Sequence, residues 1–308
     1  MGPIAGDEAA MNLSPDILCI GSILWDIIGR ASSAMPPGAD VPGRISRLPG
    51  GVAMNIAVAL ARFGLRPAVL TAIGRDAEGA ALVEACRDLG LNTDFAYRPT
   101  DLPTDRYMAI EAGGQLVAAI ADAHSLEAAG ARILEPLTDG RLASAQQPWT
   151  GPIALDGNLT AALLAEIATS PLFRKADLRI APASPGKAER LHPLLAHPRS
   201  TLYVNLAEAN LLTGAAAASA PAAAEALLAA GAGHVLVTDG PRAASQGLRG
   251  QGIITAVPPQ VPVLRVTGAG DMFMAAHIMA ERAGQPREAA LHAALAAAAA
   301  HVSGKDAS

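Results

Sequence analysis

Five consecutive residues carry the strongest chemical signal in this 308-residue chain: Thr267, Gly268, Ala269, Gly270 and Asp271, which open a largely apolar run over 272–280. Glycines let a backbone approach phosphate oxygens closely, and the unpaired amides of a helix N-terminus point at negative charge. A carboxylate in that first turn could take the proton of an attacking hydroxyl. The local string alone leaves a second reading open, in which Asp271 only complements a helix dipole after a glycine turn.

A second glycine constellation, Gly50-Gly51, is followed by Asn55 at the start of another helical pattern. The stretch 21–26 closes the first strand-like run with a carboxylate, Asp26. A carboxylate beside an amide side chain suits vicinal hydroxyls, which need acceptors and donors together. Each alone is also consistent with an ordinary turn.

The elements that must position these residues follow an alternating pattern. Apolar strand-like runs at 17–23, 67–73, 153–155, 178–180, 201–204 and 234–238 are mostly followed by helical segments, among them 54–63 and 76–89. That rhythm implies an α/β fold with a mostly parallel sheet covered on both faces, and ligands at the carboxyl ends of its strands. Two stretches, 27–48 and 104–121, break the rhythm with short extended segments and turns such as Gly113-Gly114. They read as a small projecting β-sheet, a candidate lid. The Ala-rich tract 215–230 suits a helix and carries no chemistry.

Composition narrows the class. Hydrophobic residues make up 51% and charged residues 17%, so the chain can bury a sizeable core. A net charge of −5 argues against a protein that tracks nucleic-acid phosphates. Cys19 and Cys86 both sit in apolar runs and read as core residues rather than a disulfide or metal pair. Residues 1–12 lack the basic and apolar regions of a secretory signal, and the apolar tract 289–300 is too short to span a bilayer. The expectation is a cytoplasmic protein with neither nucleic-acid nor membrane partners.

Taken together and in order, Pro49-Gly50-Gly51 with Asn55-Ile56-Ala57 and Ala61-Arg62-Phe63-Gly64, then Asn205-Leu206-Ala207-Glu208, then Thr267 to Asp271 resemble the PfkB, or ribokinase-type, carbohydrate kinase family. The resemblance implies a single kinase domain over about 13–305: a three-layer αβα sandwich with a mostly parallel central sheet, and a β-sheet lid formed by segments near 27–48 and 100–122. It implies ATP-dependent phosphorylation of a hydroxymethyl group on a small sugar or nucleoside. Asp271 would be the base, and Gly268, Ala269 and Gly270 the anion hole. Asn205 and Glu208 would organise Mg2+ and phosphates, usually through water. Thr238, Gly240 and Thr267 would lie at the nucleotide. A homodimer formed through the lid is also implied.

The chain departs from the family pattern at several places. Arg265 and Val266 stand where many members have Asp and Thr, and that Asp often helps hold a monovalent cation. Leu24 and Val52 replace an asparagine and a lysine of ribokinase itself. Gly50-Gly51-Val52, Ile120-Ala121-Asp122, Leu155-Asp156-Gly157-Asn158-Leu159 and the stretches 182–188 and 205–210 are instead similar to the pseudouridine kinase branch. Membership there implies a ribose held by Asp26, Gly50, Gly51 and Asn55, with Asn158, Thr104, Tyr107 and Asp122 near the sugar or the uracil. Two alternatives stay open: a relative acting on ribose, fructose, 2-keto-3-deoxygluconate or another nucleoside, and a non-catalytic sugar-binding regulator.

Overall fold

The computed structural model describes residues 14–305 except Gly114. The stretch 1–12 and half of the Gly113-Gly114 turn, both interpreted above, therefore lie outside the described residues.

Buried aliphatic runs build the main sheet. Its strands are β1 (Ile17–Ile20), β4 (Pro67–Leu70), β7 (Pro152–Asp156), β8 (Asp177–Ala181), β9 (Ser200–Asn205), β10 (His234–Thr238), β11 (Ala244–Leu248) and β12 (Gly252–Ala256). Their order is β12-β11-β10-β9-β8-β7-β1-β4. Every pairing is parallel except those of β11 with β10 and β12, a hairpin that extends one edge and that the helix–strand rhythm does not announce. Core side chains pack on both faces of this sheet, as strands without alternating polarity require. The core is dominated by Leu, Ile, Val and Ala. Both cysteines are free and buried within it.

The helices are α1 (Val52–Arg62), α2 (Ala77–Asp88), α3 (Ser125–Ala129), α4 (Ala161–Thr169), α5 (Leu206–Thr213), α6 (Ala220–Ala229), α7 (Ala269–Arg282) and α8 (Arg287–Val302). The Ala-rich tract is helical only from Ala220, later than composition alone suggests. Gly214 ends α5 in a left-handed conformation, and Pro221 sits in the first turn of α6, where its missing amide costs nothing. Asn210 bridges the gap, its amide side chain donating to Ala217 O at 3.0 Å and accepting from Ala217 N at 2.9 Å. No helix among the described residues is long and apolar enough to cross a membrane.

α7 is tied firmly to the sheet. The Tyr203 hydroxyl on β9 and His277 Nδ1 share a hydrogen bond of 2.9 Å, and Arg179 on β8 pairs with Glu281. The helix that carries Asp271 thus has little freedom to slide.

A second sheet joins β2 (Leu24–Ala31), β3 (Arg44–Gly50), β5 (Arg106–Ala112) and β6 (Gln115–Asp122) in the order β3-β2-β5-β6. It consists of two antiparallel pairs, β2/β3 and β5/β6, meeting at a parallel β2/β5 contact. Its apolar side chains remain largely open to solvent, with Ile45 82% and Ile120 68% exposed.

Candidate active site

Three chain segments converge at the carboxyl ends of the central strands. The head of α7 supplies the first. Gly268 caps the helix with φ +82, a left-handed conformation that favours glycine. Met272 N is the first amide taken up by the helix, bonding Gly268 O at 2.9 Å. The Gly270 and Asp271 amides have no acceptor among the described residues, so they remain available to an anion. Ala269, expected as a third donor, turns its amide back onto Val266 O at 3.2 Å. Its contribution in this conformation is a small side chain.

Asp271 faces α1. Asn55 Nδ2 donates to Asp271 Oδ2 at 2.9 Å, joining residues 216 positions apart. Burial pushes the Asp271 carboxyl up to about 7, with the Asn55 hydrogen bond opposing and Asp156 and Glu208 raising it further. A carboxylate poised near neutrality suits a general base.

The second segment is the glycine cradle. Gly51 has φ +102, and a Cβ there would lie 2.3 Å from Ser22 O. A Cβ on Gly50 would lie 2.0 Å from Asp26 Oδ2, so the paired glycines let this carboxylate close over the loop. Asp26 is half-buried, and burial pushes its carboxyl up to about 6. Tyr107 is its register partner on β5 and therefore shares its face of the sheet.

Beneath the cradle lies Asp156, quoted above only as part of a motif. Its fully buried carboxylate accepts from Ser22 N at 2.8 Å, Ala53 N at 3.0 Å and Asn158 N at 2.8 Å. It thus fastens the end of β1, the start of α1 and the end of β7 to one another. A charged residue closing an otherwise apolar strand was the available signal, because such a group must be compensated. Asn158, one turn on, accepts from Lys187 Nζ at 2.7 Å, which brings that lysine to the site's margin.

Two expected substrate residues are spent elsewhere. Thr104 donates its hydroxyl to Asp76 Oδ1 at 2.6 Å and its amide to Asp76 Oδ2 at 2.8 Å, so it anchors the start of α2. Asp122 lies opposite Arg106, and the two form an exposed ion pair at 3.3 Å. Ala121 is the β6 residue level with Tyr107, so strand alternation turns Asp122 to the face opposite Asp26.

The third segment runs from the end of β9 to the end of β10. Asn205 and Glu208 form a reciprocal capping box: Asn205 Oδ1 accepts from Glu208 N at 2.9 Å, and Glu208 Oε2 from Asn205 N at 2.8 Å. Glu208 is buried rather than solvated, and burial raises its carboxyl above the ordinary range. Asn205 is level with Thr238 across the β9/β10 pair. Thr238 and Gly240 then line a slot of about 310 Å³ together with Ala269, Gly270, Phe273 and Val302. Its wall from Pro258 to Val263 is apolar apart from Gln260, a surface that suits a flat heterocycle and that motif reading overlooked. The slot opens where the free amides of α7 begin, so its residues fit a nucleotide with phosphates directed at that helix. Thr267 is exposed at the turn, its carbonyl accepting from His301 Nε2 at 2.8 Å.

Comparison with known proteins agrees with this geometry. The model of the pfkB family of carbohydrate kinases matches residues 14–308. The chain is 32% identical over 219 residues to the uncharacterized sugar kinase YeiI of Escherichia coli K12, covering 71% of this chain but only 58% of that protein. It is 26% identical to the pseudouridine kinase of the same organism, over 84% of this chain and 81% of that one. Among solved structures, a carbohydrate kinase from Agrobacterium tumefaciens is 29% identical with a TM-score of 0.77, covering 92% of this chain and 89% of that one. Arabidopsis thaliana ribokinase complexed with ribose and ATP, at 22% identity and a TM-score of 0.74 over 94% and 93% of the two chains, shares the fold. Unpaired amides at a helix head, a carboxylate beside them and a family match over residues 14–308 meet in one conclusion: this protein belongs to the pfkB family of carbohydrate kinases.

Proposed function

We propose that the protein transfers the γ-phosphoryl group of ATP to the 5′-hydroxyl of pseudouridine. The observation that carries the kinase chemistry is the Asn55–Asp271 pair at the head of α7, beside unpaired amides and between the slot and the Asp26 face. In this reading the acceptor oxygen forms a bond to phosphorus while the bond to the ADP oxygen breaks. The proton of the acceptor hydroxyl passes to Asp271. The amides of Gly268, Gly270 and Asp271 stabilise charge on the transferring group, the main demand of phosphoryl transfer. Asp26, Gly50, Gly51 and Asn55 hold the ribose hydroxyls, Tyr107 and Asn158 border the base, and the four-stranded sheet closes as a lid over the site within a single kinase domain of about 13–305.

Asn205 and Glu208 would hold Mg2+ through water. Their capping bonds hold the two side chains side by side at the end of β9, which supports that role. When bound, Mg2+ neutralises phosphate charge. Arg265 brings a permanent cation to the place where relatives carry an acid, so we expect turnover without a required monovalent cation. The exposed Ile45, Met108 and Ile120 side chains of the second sheet favour a homodimer through that surface.

The choice of pseudouridine rests on the Asp156-Gly157-Asn158 segment, the Gly50-Gly51-Val52 cradle and the pseudouridine kinase relative. The relative named as a sugar kinase, at higher identity over a shorter span, favours a second reading in which another sugar or nucleoside is the acceptor. Steady-state phosphorylation of pseudouridine, uridine, ribose, fructose and adenosine separates them. Preference for pseudouridine is expected, and a better kcat/KM for any other acceptor refutes the assignment.

A further inference from the structure

We propose that His301, on the last turn of α8, is a positioning residue that aims the anion-binding turn at the head of α7. The inference rests on the kinase reading above and adds a residue that no motif contains. His301 Nε2 lies 2.8 Å from Thr267 O, and His301 Nδ1 lies 3.3 Å from Arg265 Nη2. A carbonyl only accepts and a guanidinium only donates, so one neutral tautomer serves both: hydrogen on Nε2, lone pair on Nδ1. Arg265 Nε also donates to His301 O at 3.1 Å, and the Leu264 and Arg265 amides both bond Val302 O, at 2.9 and 3.2 Å. The segment entering the turn is thereby clipped to the end of α8 from both backbone and side chain.

The consequence follows from peptide geometry. In a trans peptide the carbonyl and the next amide point in opposite directions. Holding Thr267 C=O onto His301 therefore fixes the Gly268 N–H on the far side, away from α8. Gly268 has φ +82, a conformation glycine leaves easily, and its Cα side is closed by the same imidazole: a Cβ there would lie 3.2 Å from His301 Nε2. The ring supplies a hydrogen bond and a wall to a turn made otherwise of small residues. Without it, the amides can still bind an anion but are no longer preset, and preset donors are what phosphoryl transfer uses.

The test compares the unaltered protein with His301→Leu, which keeps bulk without a donor, and with His301→Gln, whose Nε2 restores one. Backbone hydrogen exchange of the segment 264–272 is measured without ligand, and kcat and KM for ATP and acceptor are measured by turnover. In His301→Leu, exchange of the bonded amides of Ala269 and Met272, which hold the turn closed, is expected to rise severalfold. Its kcat should fall by about tenfold or more, the range between one ordinary hydrogen bond and a lost anion-hole donor. Acceptor KM stays within about twofold, since the cradle on α1 is untouched. His301→Gln restores most of both. Unchanged exchange in His301→Leu overturns the proposal, whatever the activity. Should that variant fail to fold, loss of kcat and protection in Arg265→Gln, which removes the lock on Nδ1, supports the clip, and its absence refutes it. An unaltered protein that phosphorylates no acceptor refutes the kinase reading instead, and exchange still decides the role of His301.

Discussion

Replacing Asp271 with asparagine should slow turnover severely and, at the same time, stabilise the protein in a pH-dependent way. Burial holds the Asp271 carboxyl up to about 7 against an ordinary value of 3.8. Between those values the folded state binds more protons than the unfolded one, so this side chain's contribution to stability falls as pH rises through that window. Above pH 7 the accumulated penalty reaches about 4 kcal/mol, reduced to roughly 2 kcal/mol where water and local relaxation screen the charge. Asparagine keeps the hydrogen-bond acceptor for Asn55 Nδ2 and carries no charge to bury. Asp271→Asn should therefore melt close to the parent near pH 4 and roughly 3–7 °C above it at pH 8, from the entropy of unfolding of a chain this long. Removing the general base should lower kcat by about 10² to 10⁴-fold, with KM for acceptor and ATP little changed. Differential scanning calorimetry from pH 4 to 8, paired with coupled-assay kinetics, reads both effects. A melting difference that does not grow with pH would refute the buried-carboxylate argument. A kcat within tenfold of the parent would show that Asp271 is not the base.

Further outcomes follow from the same geometry. The logarithm of kcat/KM in the parent should climb with unit slope below about pH 7 and flatten above it, as deprotonated Asp271 accumulates; a flat profile from pH 5 to 8 contradicts this. Gly51→Ala places a Cβ 2.3 Å from Ser22 O at φ +102, so acceptor KM should rise strongly and thermal stability drop; an unperturbed KM would mean that the loop adapts freely. Thr104→Val should cost about 1 kcal/mol by leaving Asp76 one donor short, and leave acceptor KM unchanged. Asp122→Asn should change neither kinetic constant, since its side chain faces Arg106; a raised acceptor KM in either variant would return that residue to the substrate site. Rates in potassium, sodium or tetramethylammonium chloride should agree within about twofold, because the guanidinium of Arg265 is always charged; strong potassium activation would refute that.

Much was readable from sequence because the relevant physics is local. Apolar runs of three to seven residues separated by helical patterns specify a buried parallel sheet, and β10 begins and ends where that pattern does. Gly51 and Gly268 announce left-handed backbone by their type, and each marks the start of a helix that carries a site residue. Asp271 is legible for the same reason, as a carboxylate in a helix's first turn.

Partnerships across the chain were decided by the tertiary structure alone. No spacing rule links Asn55 to Asp271, Asp156 to Ser22 and Ala53, or His301 to Thr267, because those bonds form only when separate strands and helices are brought to one end of the sheet. Packing also gave two candidates other partners. Thr104 is polar and near the lid in sequence, yet its bonding groups are committed to Asp76, while pleating turns Asp122 away from Asp26. The proton affinity of Asp271 belongs to the fold as well: the same carboxylate on an exposed helix would be ionised well below neutrality, and desolvation beside Asp156 holds its proton near the pH at which a base must release it.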